Sequence, residues 1–129
     1  MLKKFISKNE IMILSPQKLA FLGDSVYEII VREKIICNHN TDIGTLNSLK
    51  VKSVCCEYQA ELFEKIKNML TEEELEIYKR GRNAHVKKIP KKSSPITYHK
   101  ATGLEALFGF LYLSGQEERL RKLSNEIDL

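Results

Sequence analysis

The chain has 129 residues, 43% of them hydrophobic and 29% charged, with a net charge of +4. This is the size and make-up of one globular domain with its own core, and it excludes a disordered or low-complexity chain. No apolar run approaches the roughly 20 residues that a membrane-spanning helix needs, and MLKKFISKNEIMIL has neither the unbroken apolar run nor the cleavage site of a secretory signal, so a cytoplasmic protein with no membrane partner is expected.

Ser15 and Pro16 read as the N-cap and first residue of a helix. Leu19, Leu22, Val26, Ile29 and Ile30 then recur at spacings of three and four, which predicts an amphipathic helix to about Ile36. CNHNTDIG is a polar connector. Thr45 is placed to cap one long helix through LNSLKVKSVCCEYQAELFEKIKNML, with Leu46, Leu49, Val54, Leu62, Ile66 and Leu70 as its buried stripe. Thr71 and Glu74 form a capping box for the next helix, which ends near Gly81. Pro90 and Pro95, with Lys-Lys-Ser-Ser between them, predict a loop. From Tyr98 the pattern is helical again through ATGLEALFGFLYL, and Ser114-Gly115 stops it before a short terminal helix in EERLRKLSNEIDL. With no strand alternation, repeat or linker, the expected fold class is all-α, one domain over residues 1–129. Cys37, Cys55 and Cys56 lack CxxC spacing and histidine partners at zinc-site intervals, and read as reduced thiols of the core.

Two features do not suit packing alone. LAFLGDSVYE, residues 19–28, sets Gly23 and Asp24 inside an apolar helix, although glycine there costs about 1 kcal/mol relative to alanine and an unpaired buried carboxylate costs more. Glu105 stands likewise among Leu104, Ala106, Leu107 and Phe108, with Gly103 and Gly109 close by. Small residues let two helices approach, so a carboxylate on each could converge on one cation. Mg²⁺ suits such a pair, since it prefers oxygen ligands and often takes only one or two carboxylates plus substrate phosphate. Charge adds a second clue: residues 79–100 hold eight of the 21 Lys and Arg and none of the 17 Asp and Glu, directly after the four glutamates of TEEELEIY. Such asymmetry marks a surface for a polyanion. Together these point to metal-dependent phosphodiester cleavage.

FLGDSV (21–26) resembles the signature of the ribonuclease III endonuclease domain, and LEALFGFLYLSG (104–115) resembles that family's second catalytic helix. PQKLAFLGDSVYE, RGRNAHVKK and YHKATGLEALFGFLYL together resemble its short bacterial Mini-III branch, which has the catalytic domain and no separate double-stranded-RNA-binding domain. The resemblance implies an all-α helical bundle, a homodimer packed through the signature helices, and one active site per subunit. It also implies hydrolysis of double-stranded RNA to 5′-phosphate and 3′-hydroxyl ends, in maturation of the large-subunit (23S) ribosomal RNA precursor. Asp24 and Glu105 carry over as catalytic and metal-binding residues, with Mg²⁺, or Mn²⁺ in its place, as cofactor. Larger members of the family have acids at three further positions, occupied here by Gln17, Ala20 and Thr102.

Weaker readings compete at several residues. Asp24 alone would read as a surface helix residue; Gly23 and Glu105 tip the balance. Glu28 pairs more naturally with Arg32, one turn on, than with a metal. Lys87, Lys88, Lys91 and Lys92 could be a solvated run, but Arg80, Arg82, Asn83 and His85 beside them favour RNA phosphates, a contact that reads shape and little sequence. His85 and His99 read as phosphate or packing contacts, and the Tyr27 hydroxyl could reach a metal-bound water. Phe108, Phe110, Leu111 and Tyr112 read as core or dimer contacts. The rival functions are a catalytically inert RNA-binding protein of the same fold and a helical interaction protein with an acidic partner.

Overall fold

A computed structural model describes residues 6–84, 91 and 94–129. Among them it has seven α-helices and no strand: α1 (Lys8–Met12), α2 (Pro16–Asn38), α3 (Ile43–Val54), α4 (Cys56–Ile66), α5 (Glu72–Arg82), α6 (Pro95–Leu113) and α7 (Glu117–Ser124), with a 3₁₀ turn at Lys67–Met69. The all-α expectation holds. Helix starts follow local chemistry. Ser15 Oγ accepts from the Lys18 N–H at 3.3 Å with Pro16 behind it, and Thr71 and Glu74 close their capping box at 3.1 and 2.9 Å. Ser94 caps α6 with Pro95 as its first residue, so that helix begins ahead of the expected Tyr98.

The single long helix expected over 45–70 is two. Cys55 leaves the helical region at φ −73°, ψ 160°, ending α3 and standing as N-cap of α4. Asp42, not Thr45, caps α3, its Oδ1 accepting from the Thr45 N–H at 2.7 Å. The break has a packing reason: α3 lies on α2, whereas α4 turns its Gln59, Leu62, Phe63 and Ile66 face onto α6. The Tyr27 hydroxyl donates to the Ser53 carbonyl at 2.7 Å and anchors the bend.

The thiols are not core residues. Cys37 is exposed and Cys55 and Cys56 are half-buried, none of them in a disulfide, because two sit at the junction between α3 and α4 and one near the C-terminal end of α2. Ile29 also leaves the predicted stripe and is 65% exposed.

The core is built around α6, whose Leu104, Ala106, Leu107, Phe108, Phe110 and Leu111 are fully buried, while Tyr112 is partly so. Each large apolar side chain withdrawn from water contributes about 1.5–3 kcal/mol. α2, the most extensive neighbour of α6, crosses it on glycine. A Cβ on Gly23 would land on the Glu105 carbonyl and 2.9 Å from the Gly109 nitrogen; one on Gly109 would strike the Leu19 carbonyl and lie 3.1 Å from the Gly23 nitrogen. Backbone meets backbone here, with no room for a methyl group. Gly23→Ala is therefore expected to destabilise the fold by about 3 kcal/mol, the upper end of overpacking costs. Gly44→Ala, whose Cβ would meet only Asp42 Oδ1 at 3.6 Å, should be neutral or stabilise by up to about 1 kcal/mol. Urea denaturation of the two variants checks both.

Candidate active site

The glycine crossing decides where the acids go. Asp24 follows Gly23 on α2, and Glu105 offers its own carbonyl to the contact from α6, so both side chains reach one cleft of about 580 Å³. Asp24 is exposed at the rim and Glu105 sits deeper. Gln17, Ala20 and Thr102, where larger relatives of the resembled family have acids, line the same cleft, as do Tyr98 and Cys56. Burial pushes the Glu105 carboxyl up to about 8, Asp24 adding to this as hydrogen-bond partner and neighbouring negative charge. Charging Glu105 in this cleft is therefore costly for the folded chain alone.

Gln59, in the first turn of α4, escaped the sequence reading. It is 2% exposed and lines the cleft. Its amide is near enough to Glu105 to pull that pKa part of the way down, yet its Nε2 makes no hydrogen bond of good geometry. A signal was present: Gln59 stands three residues before Leu62 and seven before Ile66, an amide in register with the apolar stripe.

Other candidates fall elsewhere. Tyr27 is buried and its hydroxyl is committed to Ser53, so it anchors the α3–α4 bend and does not face the cleft; burial raises its pKa far above the ordinary value. Glu28 pairs with Arg32 at 2.9 Å, as its spacing predicts. Arg80 donates to the Met12 and Leu14 carbonyls at 3.3 and 3.2 Å, tying α5 to the chain before α2, and is engaged within the fold. Arg82 bonds Asn83 Oδ1 at 3.1 Å and lies 5.9 Å from the centre of the Tyr78 ring. Asn83 and Lys91 are exposed. His85, Lys87, Lys88 and Lys92 lie outside the described residues. His99 sits on α6 edge-on to Tyr98 and does not line the cleft. The structure thus brings together Asp24 and Glu105, and none of the described basic candidates joins them.

Among the described residues no three or more His, Cys, Asp and Glu side chains gather as a metal site. The donor set is two carboxylates amid neutral oxygen-bearing side chains, Gln17, Gln59 and Thr102. That set fits Mg²⁺, a hard cation content with one or two carboxylates and substrate phosphate. A cation held there would favour the charged form of Glu105 that burial disfavours.

Residues 17–116 match the ribonuclease III domain family. The chain is 41% identical over 120 residues to the Mini-ribonuclease 3 of Thermoanaerobacter sp., covering 93% of this chain and 84% of that protein. It is 38% identical to the Mini-ribonuclease 3 of Staphylococcus aureus, over 92% of this chain and 90% of that one. A crystal structure of a Fusobacterium nucleatum protein, 36% identical, superposes with a TM-score of 0.82 over 90% of this chain and 93% of the other.

The raised Glu105 pKa has a consequence for stability. Unfolded, this carboxyl loses its proton near 4.5; folded, it keeps it to about 8. Between those values the folded state binds more protons, so stability falls as pH rises. Thermal denaturation without divalent cation should show that decline between pH 5 and pH 8 in the wild type. Glu105→Gln should remove it, and Mg²⁺ should reduce it by drawing the wild-type carboxyl into its charged form.

Proposed function

The chain belongs to the ribonuclease III family, and within it we propose a Mg²⁺-dependent endonuclease that cuts both strands of double-stranded RNA. As a member of the family and a relative of the Mini-ribonucleases 3, it is an endoribonuclease. The observation that carries the finer reading is the convergence of Asp24 and Glu105 in one cleft at the Gly23–Gly109 crossing.

Asp24 and Glu105 would hold Mg²⁺, or Mn²⁺ in its place. Once bound, the cation supplies a polarised water for attack on phosphorus and stabilises the charge that develops on the phosphate. The chain's own contribution is placement. The glycine contact fixes the distance between the helices that carry the acids, and Tyr27 fixes the bend that closes the cleft on its α4 side. Asp24, exposed at the rim, is open to RNA. Arg82, Asn83 and Lys91, with His85, Lys87, Lys88 and Lys92, are assigned to RNA phosphates; Arg80 is left out because its guanidinium is used within the fold. Products would carry 5′-phosphate and 3′-hydroxyl ends. The substrate we assign is the large-subunit (23S) ribosomal RNA precursor in the cytoplasm.

A homodimer would give one active site for each strand. α2 supports it with exposed Phe21, Ile29 and Ile36, at 84, 65 and 68%, spaced by eight and seven residues along one side of the helix. Three large apolar residues left in water along one helix face suit a second copy. Ile29→Glu should convert a dimer to a folded monomer in sedimentation velocity, with unchanged circular dichroism. A wild type that sediments as a monomer would overturn the assignment.

The activity test pairs a long RNA duplex and Mg²⁺ with wild type, Asp24→Asn and an EDTA control. Cutting with 5′-phosphate ends should occur in the wild type and fall to background in both controls. RNA affinity should drop steeply with salt. Equal binding by wild type and variant with no cutting by either would point instead to an inert RNA-binding protein of this fold.

A further inference from the structure

The cleft contains a polar side chain that the reaction as described leaves idle. Gln59 is 2% exposed and its Nε2 is buried without a hydrogen-bond partner. Its face of α4 is otherwise apolar, continuing through Leu62, Phe63 and Ile66. Buried amides are nearly always paired, because a donor removed from water and given nothing in return destabilises the fold. A methionine or leucine would fill the position without that cost.

The group within reach is the Glu105 carboxyl, on the neighbouring α6 and lining the same cleft. Resting on the reading that Asp24 and Glu105 hold Mg²⁺, we propose that Gln59 is a positioning residue of the metal site. Its Nε2 donates to the Glu105 carboxylate when a divalent cation engages that group, and so fixes the carboxylate's orientation.

Three features suit Gln59 to this. An amide donor adds no charge, so it orients a carboxylate without competing with the cation. The residue is one turn into α4, its N–H bonded to the Cys55 carbonyl at 3.1 Å, and the bend before it is anchored through Ser53 by Tyr27. Its side chain is enclosed, so the donor has little freedom to drift. Hydrogen bonds to metal ligands of this kind commonly change metal affinity 10–100-fold when removed.

Calorimetric titration of Mg²⁺ into the RNA-free protein tests this on wild type and Gln59→Met, alongside cation-free thermal denaturation. The expected result is a Mg²⁺ affinity weaker by roughly 10–100-fold, with a cation-free Tm equal to or above that of wild type because an unpaired buried donor has been removed. RNA cleavage by the variant should then need correspondingly more Mg²⁺. A Mg²⁺ affinity within about twofold of wild type overturns the inference, and a lowered Tm with it would mark Gln59 as packing only. Should Gln59→Met fail to fold, Gln59→Leu takes its place in the same comparison. A wild type that binds no Mg²⁺ would instead defeat the metal reading itself, so the two failures are distinct.

Discussion

The molecule depends on one backbone contact. α2 and α6 cross with Gly23 against the Glu105 carbonyl and Gly109 against the Leu19 carbonyl, closer than any pair of side-chain-bearing residues allows. The contact centres the core, since the buried run of α6 packs around it. It also sets the chemistry, because Asp24 is next in sequence to one glycine and Glu105 is a partner of that contact. Helix propensity is given up at both positions, about 1 kcal/mol each. Close packing offsets the loss.

The electrostatics of the cleft run against stability. A carboxyl whose proton is held to about pH 8 by burial and by a neighbouring acid is in a poor environment for the folded chain alone. On the proposed reading, a divalent cation would reverse the sign of that environment by favouring the charged form of Glu105. With Gln17, Ala20 and Thr102 in place of further acids, the site gathers less negative charge before the cation arrives. On this reading Asp24 and Glu105 would hold the cation with few protein ligands, in keeping with the habit of Mg²⁺ to bind jointly to protein and substrate phosphate.

Much of this was legible in the chain, because the clearest signals are local. Ser15-Pro16, the Thr71–Glu74 box and the Ser114-Gly115 stop act through neighbours a few residues away, and each stands where it was read. Gly23 and Asp24 were legible for the opposite reason: they violate local preference, and such violations collect at functional sites. The bend at Cys55 was not legible. The periodicity of residues 46–70 is that of one helix, and only the competing demands of α2 and α6 divide it. Register with Leu62 and Ile66 puts Gln59 on the buried face of its helix, but in one unbroken helix it gives no sign of reaching Glu105. The bonds of Arg80 within the fold were not legible either, because charge in a basic run carries no information about carbonyls 66 and 68 residues away.

Connectivity joins the two halves of the proposed function. The basic block runs out of α5 through Arg82 and Asn83 and leads into α6, whose cap is Ser94. Tyr98, four residues beyond that cap, already lines the cleft, and Ala101, Thr102 and Glu105 follow on the same helix. A helix rises about 1.5 Å per residue, so the Ser94 cap is about one turn from Tyr98 on the wall of the carboxylate site. An RNA strand approaching Asp24 and Glu105 meets two carboxyl groups and no basic side chain among the described residues that line the cleft. On the proposed reading, the basic block, joined in sequence to the helix that carries Glu105, would supply the positive charge that the cleft itself lacks.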